Sequence, residues 1–320
     1  MDFSVVAAAR EDGGPVDEPV RVGVVADRLG YREVWAGEGP TWDAFVLATA
    51  IGLATGRVTL TAGPVPASVR DPATIVRGAA SVAAVVGRPV GVALGTSSRR
   101  VAEGVHGVPR VRPAATLAHS AEAVRGLLHG EPGEPLAPGS VFLRRHRPPG
   151  GPLTVAAFGD RAISVAATHA DRMVLDVVSP EQVRELRGKL DTASKRAGRV
   201  SPPRLAAWLP VAVDPGPESL DQVLRSVVGY LAVPGYSDIF AAAGFGTAME
   251  LARSGAPVDA LLTALPPEAA GTVALVGGID VVRARIDAYA GAGLDEIALV
   301  PATAGDPAGE RTLTALADLV

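Results

Sequence analysis

Eight short apolar runs alternate with amphipathic stretches along almost the whole chain, and this alternation narrows the available folds more than any other feature. The runs are Phe3–Ala8, Glu33–Ala36, Val58–Ala62, Val90–Leu94, Leu153–Ala157, Arg172–Leu175, Leu205–Val213 and Glu296–Val300. Most are rich in β-branched residues and apolar on both faces, as strands buried within a parallel sheet must be. Between them, Val20–Leu29 ends at Gly30, Trp42–Ala54 follows Thr41 as a candidate N-cap, and Pro72–Val85 follows Asp71. Ala114–Leu128, Ala162–Thr168, Glu181–Ala197 and Val281–Ala290 continue the helical pattern. Strands and helices in this order predict an α/β fold, a closed (β/α)8 TIM barrel. The rival, a doubly wound open sheet, usually has a glycine-rich first turn. Here that turn, EDGGPVDEP at 11–19, lacks the G-x-G-x-x-G spacing.

Two stretches exceed the minimal repeating unit. Residues 131–151 are rich in Pro, Gly and Arg and read as a loop insertion. Its basic cluster, Arg144, Arg145, His146 and Arg147, is either a solvated loop or a gate over an anionic ligand. Residues 215–278 are mostly helical in pattern and broken at Pro234, Gly235, Gly255, Pro257, Pro266 and Pro267. They are expected to form an insertion over the barrel mouth, within one domain spanning 1–320. A composition of 48% hydrophobic and 20% charged residues supplies a large core and argues against general disorder. Cysteine is absent, which excludes disulfides, thiolate metal sites and a cysteine nucleophile. A net charge of −4 gives no electrostatic reason to expect a nucleic-acid partner. The start, MDFSVVAAARED, has no basic n-region, and no apolar run approaches about 18 residues, so a cytoplasmic protein without a membrane span is expected.

Parallel α/β folds bind ligands at the carboxyl ends of their strands. Those ends carry Glu38, Gly63-Pro64-Val65, Gly95-Thr96-Ser97-Ser98, Phe158-Gly159-Asp160-Arg161, Asp176 and Pro301-Ala302-Thr303. Glycine there lets a flat ligand approach the backbone. Gly159-Asp160-Arg161 opens a helix, so its free N–H groups and Arg161 can hold a phosphate; the alternative is a tight turn capped by Asp160. Thr96 and Ser97 can bond a heterocycle or cap the next helix. The five histidines lack metal-ligand spacing, and the zincin, nucleophile-elbow and P-loop motifs are missing, so no metal site is expected.

Five segments, in order, resemble the landmarks of the bacterial-luciferase-like family: LGYREVWAGE (29–38), GRVTLTAGPVPASVRDP (56–72), VGVALGTSSRRVAEGVHGVP (90–109), PLTVAAFGDRAISVAATHADRMVL (152–175) and LVGGIDVVRARIDAYAGAGLDEIALVP (275–301). More narrowly, they resemble its branch that uses the deazaflavin coenzyme F420. The resemblance implies a (β/α)8 barrel, usually homodimeric, with a flavin or deazaflavin at the strand C-termini. It also implies a bulge with a cis peptide after the third strand. The matching bond is Gly63–Pro64, and cis is far less costly before proline than elsewhere. Cofactor contacts implied in this way are Glu38, Trp42, Gly63, Pro64, Val65, Thr96, Ser97, Ser98, Phe158, Gly159, Asp160 and Arg161.

Two departures stand out. The phosphate turn of such proteins commonly reads Gly-Pro-Arg, whereas Asp160 brings a negative charge here. Many deazaflavin-dependent relatives follow the acidic residue of the second strand with a proton-transferring His, whereas this chain has Glu38-Gly39. Proton transfer then falls to Glu38, Tyr236, Ser98 or solvent. The expected activity is hydride transfer between the deazaflavin C5 and an activated C=C or C=N bond of a small molecule or modified peptide, natural-product intermediates included. The alternatives are an FMN-dependent luciferase-like monooxygenase and a non-catalytic cofactor-binding protein. Trp208, Tyr230, Pro234 and Tyr236 are candidates for the substrate side.

Overall fold

The computed structural model describes residues 1–10, 13–39, 41–135, 139–145, 147–233, 236, 240, 241 and 243–320. Its strands are β1 (Asp2–Ala7), β2 (Glu33–Ala36), β3 (Thr59–Pro66), β4 (Val90–Gly95), β5 (Gly150–Ala156), β6 (Arg172–Asp176), β7 (Arg204–Val213), β8 (Leu275–Gly277) and β9 (Glu296–Pro301). All pairings are parallel. The ring runs from β1 to β7 in order, passes to β9 and closes on β1. This is the expected TIM barrel, built on the eight expected strands. The additional β8 pairs with the last three residues of β7, outside the ring. Three residues are too few to show a period of two, which is why the sequence pattern did not reveal it.

Helices flank the ring as α1 (Glu18–Leu29), α2 (Ala44–Ala54), α3 (Pro72–Val86), α4 (Pro113–Leu127), α5 (Asp160–His169) and α6 (Pro180–Arg196). The expected cap of α2 is corrected. Asp43, not Thr41, has extended backbone and accepts from the Phe45 and Val46 N–H groups at 2.8 and 3.1 Å. Trp42 therefore lies before the helix. The 131–151 connection leads into the start of β5, where Gly150 pairs with Val90 at the start of β4. Its junction with β5 thus lies at the N-terminal end of the barrel, opposite the strand C-termini. Arg144 is buried and donates to the Leu127 carbonyl at 3.1 Å; His146 lies outside the described residues. Within 215–278 are α7 (Pro217–Val228), α8 (Gly246–Arg253), α9 (Val258–Ala264) and α10 (Ala270–Val273), which share a hydrophobic cluster around Val227, Leu231, Phe240 and Val273. After β8, α11 (Ile279–Gly291) leads to β9.

Side chains facing into a closed barrel must fill it. Trp35 is fully buried there and meets Trp208 edge-to-face, with ring centroids 5.6 Å apart. Ala93, Ala156, Ala206 and Ala298 surround the two indoles, so the small residues of four strands make room for the large ones of two. Below Trp35, toward the strand N-termini, the filling turns ionic. Arg172 donates to Glu33 at 2.7 and 2.8 Å, to Glu296 at 2.8 Å, and to Thr154 and Thr61 at 3.1 and 3.2 Å. Its guanidinium lies 4.1 Å from the Trp35 ring centroid. The Trp35 indole N–H bonds the Ser4 hydroxyl at 3.0 Å, and Ser4 donates to Glu296 at 2.7 Å. Burial alone would raise Glu33, but the hydrogen bonds and charge of Arg172, with the Thr61 hydroxyl, hold it below its ordinary value.

Two outcomes are expected. Arg172→Met removes the buried cation that Glu33 and Glu296 share and should cost about 3–5 kcal/mol at neutral pH. Because Glu33 is depressed in the folded protein, its stabilisation is present above the unfolded value and is lost as pH falls through the folded one. In the variant the unpaired buried acids favour protonation, so its deficit should shrink between about pH 7 and pH 5, as urea midpoints would show. The second outcome concerns β3. Gly63 has φ 113°, and a Cβ there would lie 2.5 Å from the Ala93 carbonyl oxygen and the Val65 nitrogen. Gly63→Ala should therefore destabilise by at least about 2 kcal/mol, read as a lower urea midpoint with unchanged slope.

Candidate active site

The ring order sets β3 opposite β7 and β2 opposite β6. The C-terminal mouth therefore has two unlike walls, one from β2–β4 and one from β5–β7.

The first wall is shaped by backbone. The Gly63–Pro64 bond is cis, and the β3–β4 register shifts between Ala62 and Val65. Val65 is buried while Pro64 stays partly exposed. Beyond β2, Glu38 is held at both carboxylate oxygens: Oε1 accepts from Arg70 at 2.8 Å and Oε2 from the Ala44 N–H at 2.7 Å. Arg70 also donates to Asp43 at 2.7 Å and lies 5.4 Å over the Phe45 ring. Burial would raise Asp43, but Arg70 and the N–H groups of α2 bring it below its ordinary value. Arg70 and Asp43 escaped the sequence reading because charges about 30 residues apart carry no local sign of pairing. Trp42 donates its indole N–H to the Val16 carbonyl at 3.0 Å, tying the β1–α1 connection to this wall. A Cβ at Gly39 would meet nothing within 4 Å among the described residues.

Past β4, Ser97 has φ 57°, and Arg110 bonds the Ser97 carbonyl at 2.9 Å and the Thr96 hydroxyl at 3.4 Å. The Ser98 hydroxyl accepts from the Val101 N–H at 3.2 Å, at the start of a π-helical stretch, Arg100–Val105. Ser98 is thus occupied as a cap, and Arg110 is a further group that sequence reasoning missed.

The second wall is aromatic and acidic. Phe158 stacks on Tyr236 with centroids 4.6 Å apart and planes 24° apart, and Tyr236 packs on Tyr230 at 4.8 Å. The Tyr230 hydroxyl donates to Asp176, the last residue of β6. Burial pushes Asp176 up to about 6, against the lowering effect of that hydrogen bond. Burial, then the nearby Asp176 carboxylate, pushes the Tyr236 phenol up. The Trp208 indole N–H is buried with no hydrogen-bond partner among the described residues. Gly159 precedes α5 without a side-chain cap, and the Asp160 carboxylate lies 3.3 Å from Lys189 rather than capping the helix. Arg161 is exposed beside that open N-terminus, and Pro234 lies outside the described residues.

At the opposite end of the barrel, a hollow of about 320 Å³ is lined by Asp2, Arg32, Glu33, Arg204 and Glu296 among others. Its carboxylates are engaged by Arg172 and Arg204, so it offers little unsatisfied charge. Among the described residues no group of three or more His, Asp or Glu can hold a metal ion, and no helix is long and apolar enough to cross a membrane.

A family model described as luciferase-like monooxygenase matches residues 1–296. Uncharacterised proteins of Mycobacterium tuberculosis and Mycobacterium bovis are 29% identical over 184 residues, or 54% of this chain, and the chain spans 61% of their length. The coenzyme F420-dependent tetrahydromethanopterin reductase of Methanopyrus kandleri superposes with a TM-score of 0.81 at 16% identity, covering 100% of this chain and 99% of its own. An F420-dependent secondary alcohol dehydrogenase, in complex with an F420–acetone adduct, gives 0.78 at 15% identity, with 100% and 98% covered. The oxygenating constituent of 3,6-diketocamphane monooxygenase from Pseudomonas putida, in complex with FMN, gives 0.67 at 16%, with 99% and 96% covered. At such identities the structural likeness concerns the fold. The sequence match is of another kind: extending over nearly the whole barrel, it establishes that this chain belongs to the luciferase-like monooxygenase family.

Proposed function

We propose that the protein is an F420-dependent oxidoreductase that moves a hydride between the deazaflavin C5 and an organic substrate bearing an activated C=C or C=N bond. The observation that carries this reading is the pair of unlike walls, a kinked glycine-proline backbone facing an aromatic wall across the mouth. A flat ring needs backbone that it can approach closely on one face and a partner of other chemistry on the other. In this reading Gly63, Pro64 and Val65 brace the ring, and Thr96, Ser97, Ser98 and Phe158 border it. The open N-terminus of α5 and Arg161 take the phosphate, with Asp160 drawn aside by Lys189. Glu38 and Trp42 hold the β2 side. When bound, a deazaflavin supplies a two-electron hydride donor or acceptor that reacts poorly with oxygen, so a reductase or dehydrogenase fits better than an oxygenase.

The substrate in this reading is a small molecule or modified peptide, entering beside Trp208, Tyr230 and Tyr236 under the 215–278 insertion. A homodimer and a cytoplasmic location belong to the same reading and rest on the family resemblance. The family description and the FMN-bound neighbour favour a second reading, an FMN-dependent monooxygenase. The higher structural similarity to the two F420-dependent enzymes supports the deazaflavin instead. Gly39, in place of a histidine, motivates a third, binding without catalysis.

Separate titrations of the purified protein with F420 and FMN, followed by cofactor fluorescence, test the proposal. F420 is expected to bind at least about tenfold more tightly, and Arg161→Ala to weaken its binding by about tenfold. Binding of FMN alone would overturn the deazaflavin reading. Failure of the reduced, F420-loaded protein to reduce any member of a panel of alkenes and imines would favour the non-catalytic one.

A further inference from the structure

Trp208 presents a buried indole N–H that no acceptor among the described residues meets, and buried donors in folded proteins are nearly always satisfied. Asp176 is its register partner on the neighbouring strand. Side chains alternate along a strand, so Asp176 shares the inward face of β6 with Val174 and Arg172, both of which lie inside the barrel. Trp208 also faces inward, against Trp35. An acid and a donor without a described acceptor therefore stand side by side at the top of the barrel filling, and Asp176 is only half-buried.

From this juxtaposition we infer that Asp176 is the acid–base residue of the mouth, positioned by Tyr230, and that it acts with the Trp208 N–H on the heteroatom of a ketone or imine substrate. The inference rests on the hydride-transfer reading above and moves its substrate class away from C=C bonds, keeping C=N and adding C=O. The other candidates for proton transfer are engaged elsewhere. Both oxygens of Glu38 are held by Arg70 and the Ala44 N–H, and the Ser98 hydroxyl caps the π-helical stretch. Tyr236 is held far above neutrality by burial. Asp176, moved up to about 6, exchanges its proton near neutral pH, where a general acid works best. Among the described residues, the groups set against it are the Tyr230 hydroxyl, the Val177 N–H, the Tyr236 phenol and the Trp208 indole, none of them a fixed charge.

The chemistry balances. The substrate carbon gains hydride from the reduced deazaflavin, which is left oxidised, and the π pair of the C=O or C=N bond moves onto the heteroatom. That atom accepts a hydrogen bond from Trp208 and takes the proton of Asp176, giving an alcohol or amine. Solvent then returns a proton to the carboxylate. In the reverse direction Asp176 accepts the hydroxyl or ammonium proton.

The first test needs no cofactor. Carbon-13 NMR of the protein labelled at the aspartate carboxyls should show one resonance titrating with a midpoint near pH 6 that disappears in Asp176→Asn. In Tyr230→Phe the midpoint should move upward, because the lost hydrogen bond was lowering it; a merely structural tyrosine would leave it in place. In the second test, reduced F420 is the donor, with cyclohexanone and 2-methyl-1-pyrroline as probes. Asp176→Asn should lower kcat on the order of 100-fold without weakening F420 binding, and Trp208→Phe should raise KM for the probes. Absence of the titrating resonance, or an Asp176→Asn variant with wild-type kcat, overturns the assignment. A wild-type protein that reduces only the C=C bond of 2-cyclohexenone overturns the substrate class. Failure to bind F420 sinks the functional reading instead, while the carboxyl titration still decides the state of Asp176.

Discussion

A single guanidinium ties the N-terminal ends of the barrel strands together. Arg172 of β6 reaches Glu33 on β2 and Glu296 on β9, with hydroxyls from β3 and β5 taking its remaining donors. Five strands of the eight thereby meet at one charge. An ionic centre of this kind is weak evidence for net stability, since desolvating three charges offsets much of the attraction. Its stronger consequence is geometric. Each strand must enter the barrel at the level where its side chain meets Arg172, and a slip of one residue would turn that side chain to the outside. The Trp35 ring, pressed against the same guanidinium, is fixed in turn and sets the height of the filling above it.

The mouth inherits that height. Trp208 rests on Trp35, so the upper surface of the filling is an indole edge on the β7 side. Opposite, β4 contributes Ala93 and Gly95 and β3 contributes Gly63, leaving little side-chain bulk there. The floor of the mouth is consequently lopsided: aromatic and acidic toward β5–β7, backbone-lined toward β2–β4. The asymmetry follows from which strands carry tryptophan and which carry glycine, before any loop is considered. Loops then add the charged clamp of Glu38, Arg70 and Asp43 on one side and the phenols of Tyr230 and Tyr236 on the other.

Much of this was legible in the chain, and the illegible parts have identifiable causes. Buried parallel strands are apolar runs bounded by turns, so all eight barrel strands stood out. Helix ends shifted by a residue or two, as with Thr41 and Asp43, where Asp43 caps α2 through one carboxylate oxygen and takes Arg70 on the other, a contact that no local pattern contains. The ionic centre was half visible. Three of the expected strands begin on Glu33, Arg172 and Glu296, and parallel strands in a barrel bring their first residues to one end. Charges of opposite sign opening several strands of one barrel therefore predict a paired centre at its N-terminal end. For the candidate site, the strand-end rule collected the residues from β2 to β6, but not how they divide into two walls. That division depends on which hydroxyls and carboxylates are already occupied, which only packing reveals.

The chemical consequence of the division concerns where a proton can be held. On the β2 side both oxygens of Glu38 are already taken, by Arg70 and by the Ala44 N–H. On the β6 side, among the described residues, the Asp176 carboxyl meets the Tyr230 hydroxyl, the Val177 N–H and the Trp208 indole, and burial outweighs the two lowering hydrogen bonds, so the neutral acid survives to about pH 6. Glycine at position 39 then has a physical reading within the proposed reaction. Beside two carboxylates that share one guanidinium, an imidazole would be drawn toward its cationic form, placing a fourth charge in the clamp. A proton source on the opposite wall, distant from any fixed charge, meets the requirement without one.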